Sequence, residues 1–125
     1  MQLIENKQEL SNIINSVNEK KLIINHENIT ESCIVSNNNL MVELNINCIE
    51  ELNSSHIDFL LKSKPELVII GSGSEHVFPE INLLNPIAKN EIGFEVMNNK
   101  SAARTYNVLT AEERKVSCLL IINNS

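Results

Sequence analysis

The 125-residue chain has no tryptophan, one tyrosine and three phenylalanines. An aromatic core is excluded, so Ile, Leu and Val must fill the interior, and these favour pleated strands. The three cysteines, Cys33, Cys48 and Cys118, are odd in number and lack CxxC spacing. That argues against a disulfide framework or a zinc site and leaves reduced thiols packed as small hydrophobes. Cations are scarce: 10 Lys and Arg stand against 16 Asp and Glu, a net charge of −6. Contact with a phosphate backbone needs clustered cations, so nucleic acid is not an expected partner. No run is long enough to span a bilayer and no N-terminal segment has leader or transit composition, from which a soluble, cytoplasmic protein is expected.

What is present fits one core, since a chain of this length buries roughly two-thirds of its unfolded surface. Leu10, Ile13, Ile14 and Val17 fall at i, i+3, i+4 and i+7, predicting a helix over residues 7–19. Residues 1–20 are thus read as a helical extension of a single domain over residues 21–125. Apolar runs at residues 22–24, 33–35 and 40–42, separated by Asn-rich turns, predict an antiparallel meander of three strands. Val42, Leu44 and Ile46 alternate with Glu43 and Asn45 as in a half-buried strand. Ser54 or Ser55 caps a helix with Ile57, Leu60 and Leu61 on its apolar face, Asp58 at capping-box spacing and Pro65 beyond its end.

The unbroken apolar run of residues 67–70 predicts a strand covered on both faces, ending in Gly71-Ser72-Gly73. Asn85-Pro86 starts a short helix to about residue 90. A strand over 92–97 leads into a helix capped by Asn99 or Ser101 and running to about Arg114, with Ala102, Tyr106 and Leu109 on one face; residues 115–122 form the last strand. This alternation requires crossovers and at least two parallel neighbours, although the short final connection leaves room for an antiparallel last strand.

The strings PELVIIGSG at residues 65–73, Phe78-Pro79, IGFEVMN at 92–98 and AARTYNVLTAEERKV at 102–116 resemble the small Mth-type domain of unknown function, the family that includes mitochondrial complex I assembly factor 3. The resemblance covers residues 21–122. It implies a three-layer α/β fold, with helices on the faces of a central mixed sheet in which one strand opposes the rest, and a small antiparallel β-meander alongside. It implies no established reaction, and for the mitochondrial members a non-catalytic role in building the respiratory NADH dehydrogenase. The family usually has Thr where this chain has Asn99, and a longer helix where it has Asn85-Pro86.

Gly71-Ser72-Gly73 follows a strand but continues into neither GxGxxG nor Gly-Lys-Ser/Thr, and a tight turn accounts for it. Open α/β sheets nevertheless bind ligands at the carboxyl ends of parallel strands, here residues 71–74 and 98–101. The second end opens a helix whose N–H groups attract anions. Gly71, Ser72, Gly73, Asn99 and Arg104 therefore form a candidate small-anion site. Structural roles account for the whole neighbouring motif: Arg104 paired with Glu95 or covering the neighbouring sheet with its stem, Tyr106 in the core with a bonded hydroxyl, Asn107 on the backbone of the Gly71 loop, and Thr105 beside them. His26, His56 and His76 lack metal-ligand spacing, and a Ser72–His76–Glu95 arrangement lacks a nucleophile elbow. The expectation is a non-enzymatic interaction or assembly-factor domain with no catalytic residue, metal or cofactor, binding an unknown protein partner or a second copy of itself. The alternative is a protein, enzymatic or not, that binds a small anion or metabolite at the Gly71 loop and Arg104.

Overall fold

The apolar runs sort into two sheets. The computed structural model describes residues 2–5 and 10–123. Its elements are β1 (Gln2–Glu5), β2 (Ile14–Val17), β3 (Leu22–Ile24), β4 (Glu27–Ile29), β5 (Cys33–Ser36), β6 (Asn39–Val42), α1 (Ser54–Leu61), β7 (Leu67–Gly71), α2 (Asn85–Lys89), β8 (Gly93–Met97), α3 (Asn99–Ala111) and β9 (Val116–Leu120). A six-stranded mixed sheet has the order β1-β6-β5-β9-β7-β8, and β2-β3-β4 form a separate antiparallel sheet.

β7 lies between β8 and β9 and is parallel to both. β5 opposes β9 and β6, and β1 opposes β6, so two strands run against the other four, where the family resemblance implied one. The last strand is parallel to β7, not antiparallel. Thirteen residues of α3 rise about 20 Å, enough to carry the chain back along a five-residue strand before a short turn.

Three local expectations change. Residues 10–19 do not form a helix: Leu10 and Ile13 are exposed while Ile14 is buried, and β2 pairs with β3 instead. Asn25 fixes that pairing, since its N–H donates to Ile13 O and its Oδ1 accepts from Ile13 N, both at 2.9 Å. The part of the expected helix at residues 7–9 lies outside the described residues. The meander also divides: residues 22–24 join the small sheet, whereas β5 and β6 form a hairpin within the large one. Beyond β6, Glu43 and Asn45 take φ of 61° and 55°, so the alternation of Leu44 and Ile46 records burial without a strand.

Helix α1 is capped by Asn53, whose Oδ1 accepts from Ser55 N at 2.9 Å, rather than by Ser54 or Ser55. His56, not Asp58, completes the box, its Nδ1 accepting from Asn53 N at 3.0 Å. Nε2 of His56 then carries the proton and donates to Leu44 O at 3.0 Å, tying the residue 43–46 segment to the helix.

The large sheet is covered on both faces, which explains its unbroken apolar strands. Val68, Ile70, Leu119 and Ile34 face Ile57 and Leu60 of α1 and Ile87 of α2. Ile69, Cys118, Leu120 and Val35 face Ala102 and Tyr106 of α3 and the small sheet's Ile14, Leu22 and Ile24. Ser117 in β9 is 1% exposed, and its Oγ has no hydrogen-bond partner among the described residues. An unpaired buried hydroxyl is unfavourable, so Ser117→Ala is expected to raise stability by about 1 kcal/mol. Chemical denaturation should show a higher midpoint with an unchanged slope.

Candidate functional site

At the carboxyl ends of β7 and β8 the chain leaves towards opposite faces, through α2 from β7 and through α3 from β8, which makes their junction a topological switch point. Here the crevice is closed by the protein's own groups. Asn99 is 3% exposed; its Oδ1 accepts from Gly73 N at 3.0 Å and its Nδ2 donates to Ile121 O at 2.7 Å. Asn99 N donates to Gly73 O at 2.7 Å, completing a reciprocal pair. Ser72 Oγ donates to Glu75 O at 2.6 Å and accepts from Val77 N at 3.0 Å. Gly71 is needed for space, because a Cβ there would lie 2.6 Å from Asn99 Oδ1 and 3.0 Å from Leu119 O. Gly73 is needed for its backbone, at φ 107°.

Asn98, rather than Asn99 or Ser101, caps α3, its Oδ1 accepting from Ser101 N at 2.9 Å. The helix start therefore has its first-turn N–H groups at Asn99 and Ser101 already bonded within the protein. Arg104 is exposed on the outer stripe of α3 and lines neither cavity that includes residues of the Gly71 loop. Among the described residues no ion pair joins it to Glu95, which is also exposed; Arg114 Nε instead approaches Glu66 Oε1 at 3.7 Å. The structure thus brings together Gly71, Ser72, Gly73 and Asn99 but not Arg104.

The rest of the motif points inward, to the N-terminal part of the chain. Asn107 does not reach the Gly71 loop: its Oδ1 accepts from Ile14 N at 3.0 Å and its Nδ2 donates to Ile14 O at 2.7 Å, pairing β2 as a neighbouring strand would. Tyr106 is fully buried, and its hydroxyl donates to Asn12 O at 2.9 Å and Ser36 O at 3.2 Å. Burial, then the neighbouring Cys118, pushes the phenol far above its ordinary value, so it stays protonated and is no base. Burial likewise holds Cys33 and Cys118 as thiols. Thr105 is half-buried in the same turn.

Two open cavities flank the closed junction. One, of about 220 Å³, is lined by Ser72, Gly73, Ser74, Val77, Cys48 and the carboxylate residues Glu19, Glu50 and Glu75. The other, of about 620 Å³, is lined by Val17, Lys20, Lys21, Ser74, Asn99 and Lys100. Neither the lysines nor the acidic group stood out in the sequence, because each set converges from distant segments. Among the described residues no group of three His, Cys, Asp or Glu is placed to hold a metal ion.

Residues 14–121 match the model of a family described as protein of unknown function (DUF498/DUF598). The chain belongs to this family. Curated relatives include the 13 kDa major membrane protein of Francisella tularensis subsp. holarctica, 37% identical over 76 residues, or 61% of this chain and 62% of that protein. NADH dehydrogenase [ubiquinone] 1 alpha subcomplex assembly factor 3 of Drosophila melanogaster is 31% identical over 81 residues, 62% of this chain and 41% of that protein. The match thus spans less than two-thirds of either relative. Among solved structures, a Xanthomonas campestris protein superposes with a TM-score of 0.82 at 27% identity, covering 99% of this chain and 94% of that one. A Bordetella pertussis protein described as a Mth938-like domain superposes with a TM-score of 0.77 at 17% identity, covering 100% of this chain and 94% of that one. The Mth-type fold and family read from the residues are therefore those of the protein. Among the described residues no helix is long and apolar enough to cross a membrane.

Two measurements check the structural assignment of the motif. Gly71→Ala is expected to destabilise by about 3 kcal/mol, since the added methyl meets backbone as well as the Asn99 amide. A melting temperature within a degree of the parent would refute the closed junction. Tyr106 is the chain's one tyrosine, so alkaline titration isolates it. Its raised folded pKa contributes stability fully present below the ordinary value of 10.0 and lost as pH rises beyond it, because the unfolded state then releases the proton first. Tyrosinate absorbance should appear only together with loss of secondary structure, not as a separate step near pH 10.

Proposed function

We propose that this chain is a non-enzymatic protein-interaction domain of assembly-factor type, working in the cytoplasm. The observation that carries the reading is the loop after β7. Val77, Phe78 and Ile81 are 37%, 50% and 58% exposed within five residues, while Pro79 between them and Leu84 after them are buried. Isolated exposed apolar residues are ordinary, but a cluster on an anchored loop has the character of a contact surface. Ser72 Oγ bonds both Glu75 and Val77, and the 3-10 turn Ile81–Leu84 leads directly into α2. A loop held at both ends loses little freedom on binding.

The fate of the polar motif supports the same reading. Ser72, Asn99, Tyr106 and Asn107 are engaged with backbone groups, which gives these four residues structural work. The Drosophila relative is by name an assembly factor of NADH dehydrogenase [ubiquinone], and subunits of that enzyme are the first partners to test. A second copy of the chain is the other.

The test compares the parent with Phe78→Asp and Ile81→Asp by affinity purification from the native host and by light scattering. A defined partner, or self-association, should fall at least tenfold in both variants with melting temperatures unchanged. Identical recovery from parent and variants would remove the loop from the interface, and a strictly monomeric parent with no specific partner would remove the reading itself.

A further inference from the structure

The larger of the two cavities gathers cationic side chains in an acidic chain. The chain carries a net charge of −6 with only 10 cationic side chains, yet Lys20, Lys21 and Lys100 line this one crevice with Glu19 as its single carboxylate. The lysines come from elements far apart in sequence, the β2–β3 turn and the first turn of α3, and meet only because of the fold. The remaining wall includes Val17, Asn98, Asn99 and Ser74.

Each wall is held by an asparagine. Asn18 Oδ1 accepts from Lys20 N at 2.8 Å and Lys21 N at 3.0 Å, and Asn18 N donates to Lys21 O at 2.9 Å, which fixes the turn. Asn98 caps the helix turn that presents Lys100, and Asn99 holds the Gly73 turn that presents Ser74. The backbone framework around the ammonium groups is thus set before any ligand arrives, and a preorganised cationic site avoids reorganisation on binding. The helix terminus is not what makes the site, because its N–H groups at Asn99 and Ser101 are already engaged.

From this geometry we infer that the crevice binds a small organic anion carrying at least two negative charges on a short carbon body, a carboxylate or a phosphate ester. A volume of about 620 Å³ is in the usual range for small-ligand sites. Val17 and the lysine stems meet the carbon body, while the ammonium groups and the Ser74 hydroxyl meet the anionic ends. The neighbouring acidic cavity shares Glu19 and Ser74 with this one and limits the anion to the lysine side. A long polyanion is disfavoured by the overall negative charge. The crevice replaces Arg104 of the sequence-derived site with three lysines, and it does not depend on the apolar loop binding a protein.

The test is an NMR titration of the full chain with citrate and, separately, glycerol 2-phosphate, with sulfate as the ionic-strength control. Saturable shifts at the Ser74, Asn98 and Lys100 amides with Kd below about 1 mM are expected, and the tighter arm identifies carboxylate or phosphate as the source. Lys21→Ala and Lys100→Ala should each weaken binding at least tenfold, Lys100→Arg should retain most of it, and Lys89→Ala, on α2, should change nothing. Non-saturating shifts with both probes would overturn the inference. So would equal responses to sulfate, or equal losses in Lys100→Ala and Lys89→Ala.

Discussion

The end of the β7 strand depends on one amide. Asn99 accepts from Gly73 N and donates to Ile121 O, so a single buried side chain satisfies backbone groups from two segments that leave the sheet in different directions. Buried backbone groups without partners are costly, and at a switch point the diverging loops leave such groups behind. In nucleotide-binding α/β folds ligands fill that space. Here a side chain does, and it excludes a Cβ at Gly71. Further along the same helix, Tyr106 and Asn107 do for Asn12 and Ile14 what Asn99 does for Gly73, so α3 ties together the backbone at residues 12–14, 36, 73 and 121.

The legible parts of the sequence were those where one physical signal dominated. The run at residues 67–70 had no alternation because both faces are covered, and Asn85-Pro86 opened a helix because proline suits the first turn. The N-terminal twenty residues misled because Leu10, Ile13, Ile14 and Val17 satisfy a helical period by spacing alone. Only Ile14 of the four is deeply buried, and the backbone there is captured by Asn25, 12 positions from its partner Ile13, and by Asn107, 93 positions from its partner Ile14. No local pattern encodes such partners. Residues 42–46 misled in a subtler way: alternating burial was right, but two left-handed residues produced it.

The candidate site was half legible for the same reason. Strand ends and glycines announce themselves locally, so Gly71, Ser72, Gly73 and Asn99 were found together. Arg104 followed Asn99 by five residues, which places it more than a turn along the helix and, as it proves, on the exposed stripe. The lysines that do line a cavity there belong to the β2–β3 turn and to α3, and their meeting depends on the small sheet docking against α3 through Asn107. Asn107 is thus the fastener that brings the small sheet to the cavity.

This chain keeps the strand-end architecture of ligand-binding α/β folds while its junction is closed. Filling the switch point with Asn99 and Ser72 removes the place where a cofactor's phosphates would reach bare N–H groups. It also anchors the loop after β7, where Gly73 bonds Asn99 and Ser72 bonds Glu75 and Val77, while the β2–β3 turn is held separately by Asn18. Rigid loops at the end of a sheet can present side chains outward: Val77, Phe78 and Ile81 on one side, Lys20, Lys21 and Lys100 on the other. The apolar loop and the Ser74 and Lys100 side of the cationic crevice then share one supporting structure, so that disturbing Asn99, which holds the Gly73 turn and itself lines the crevice, should loosen both.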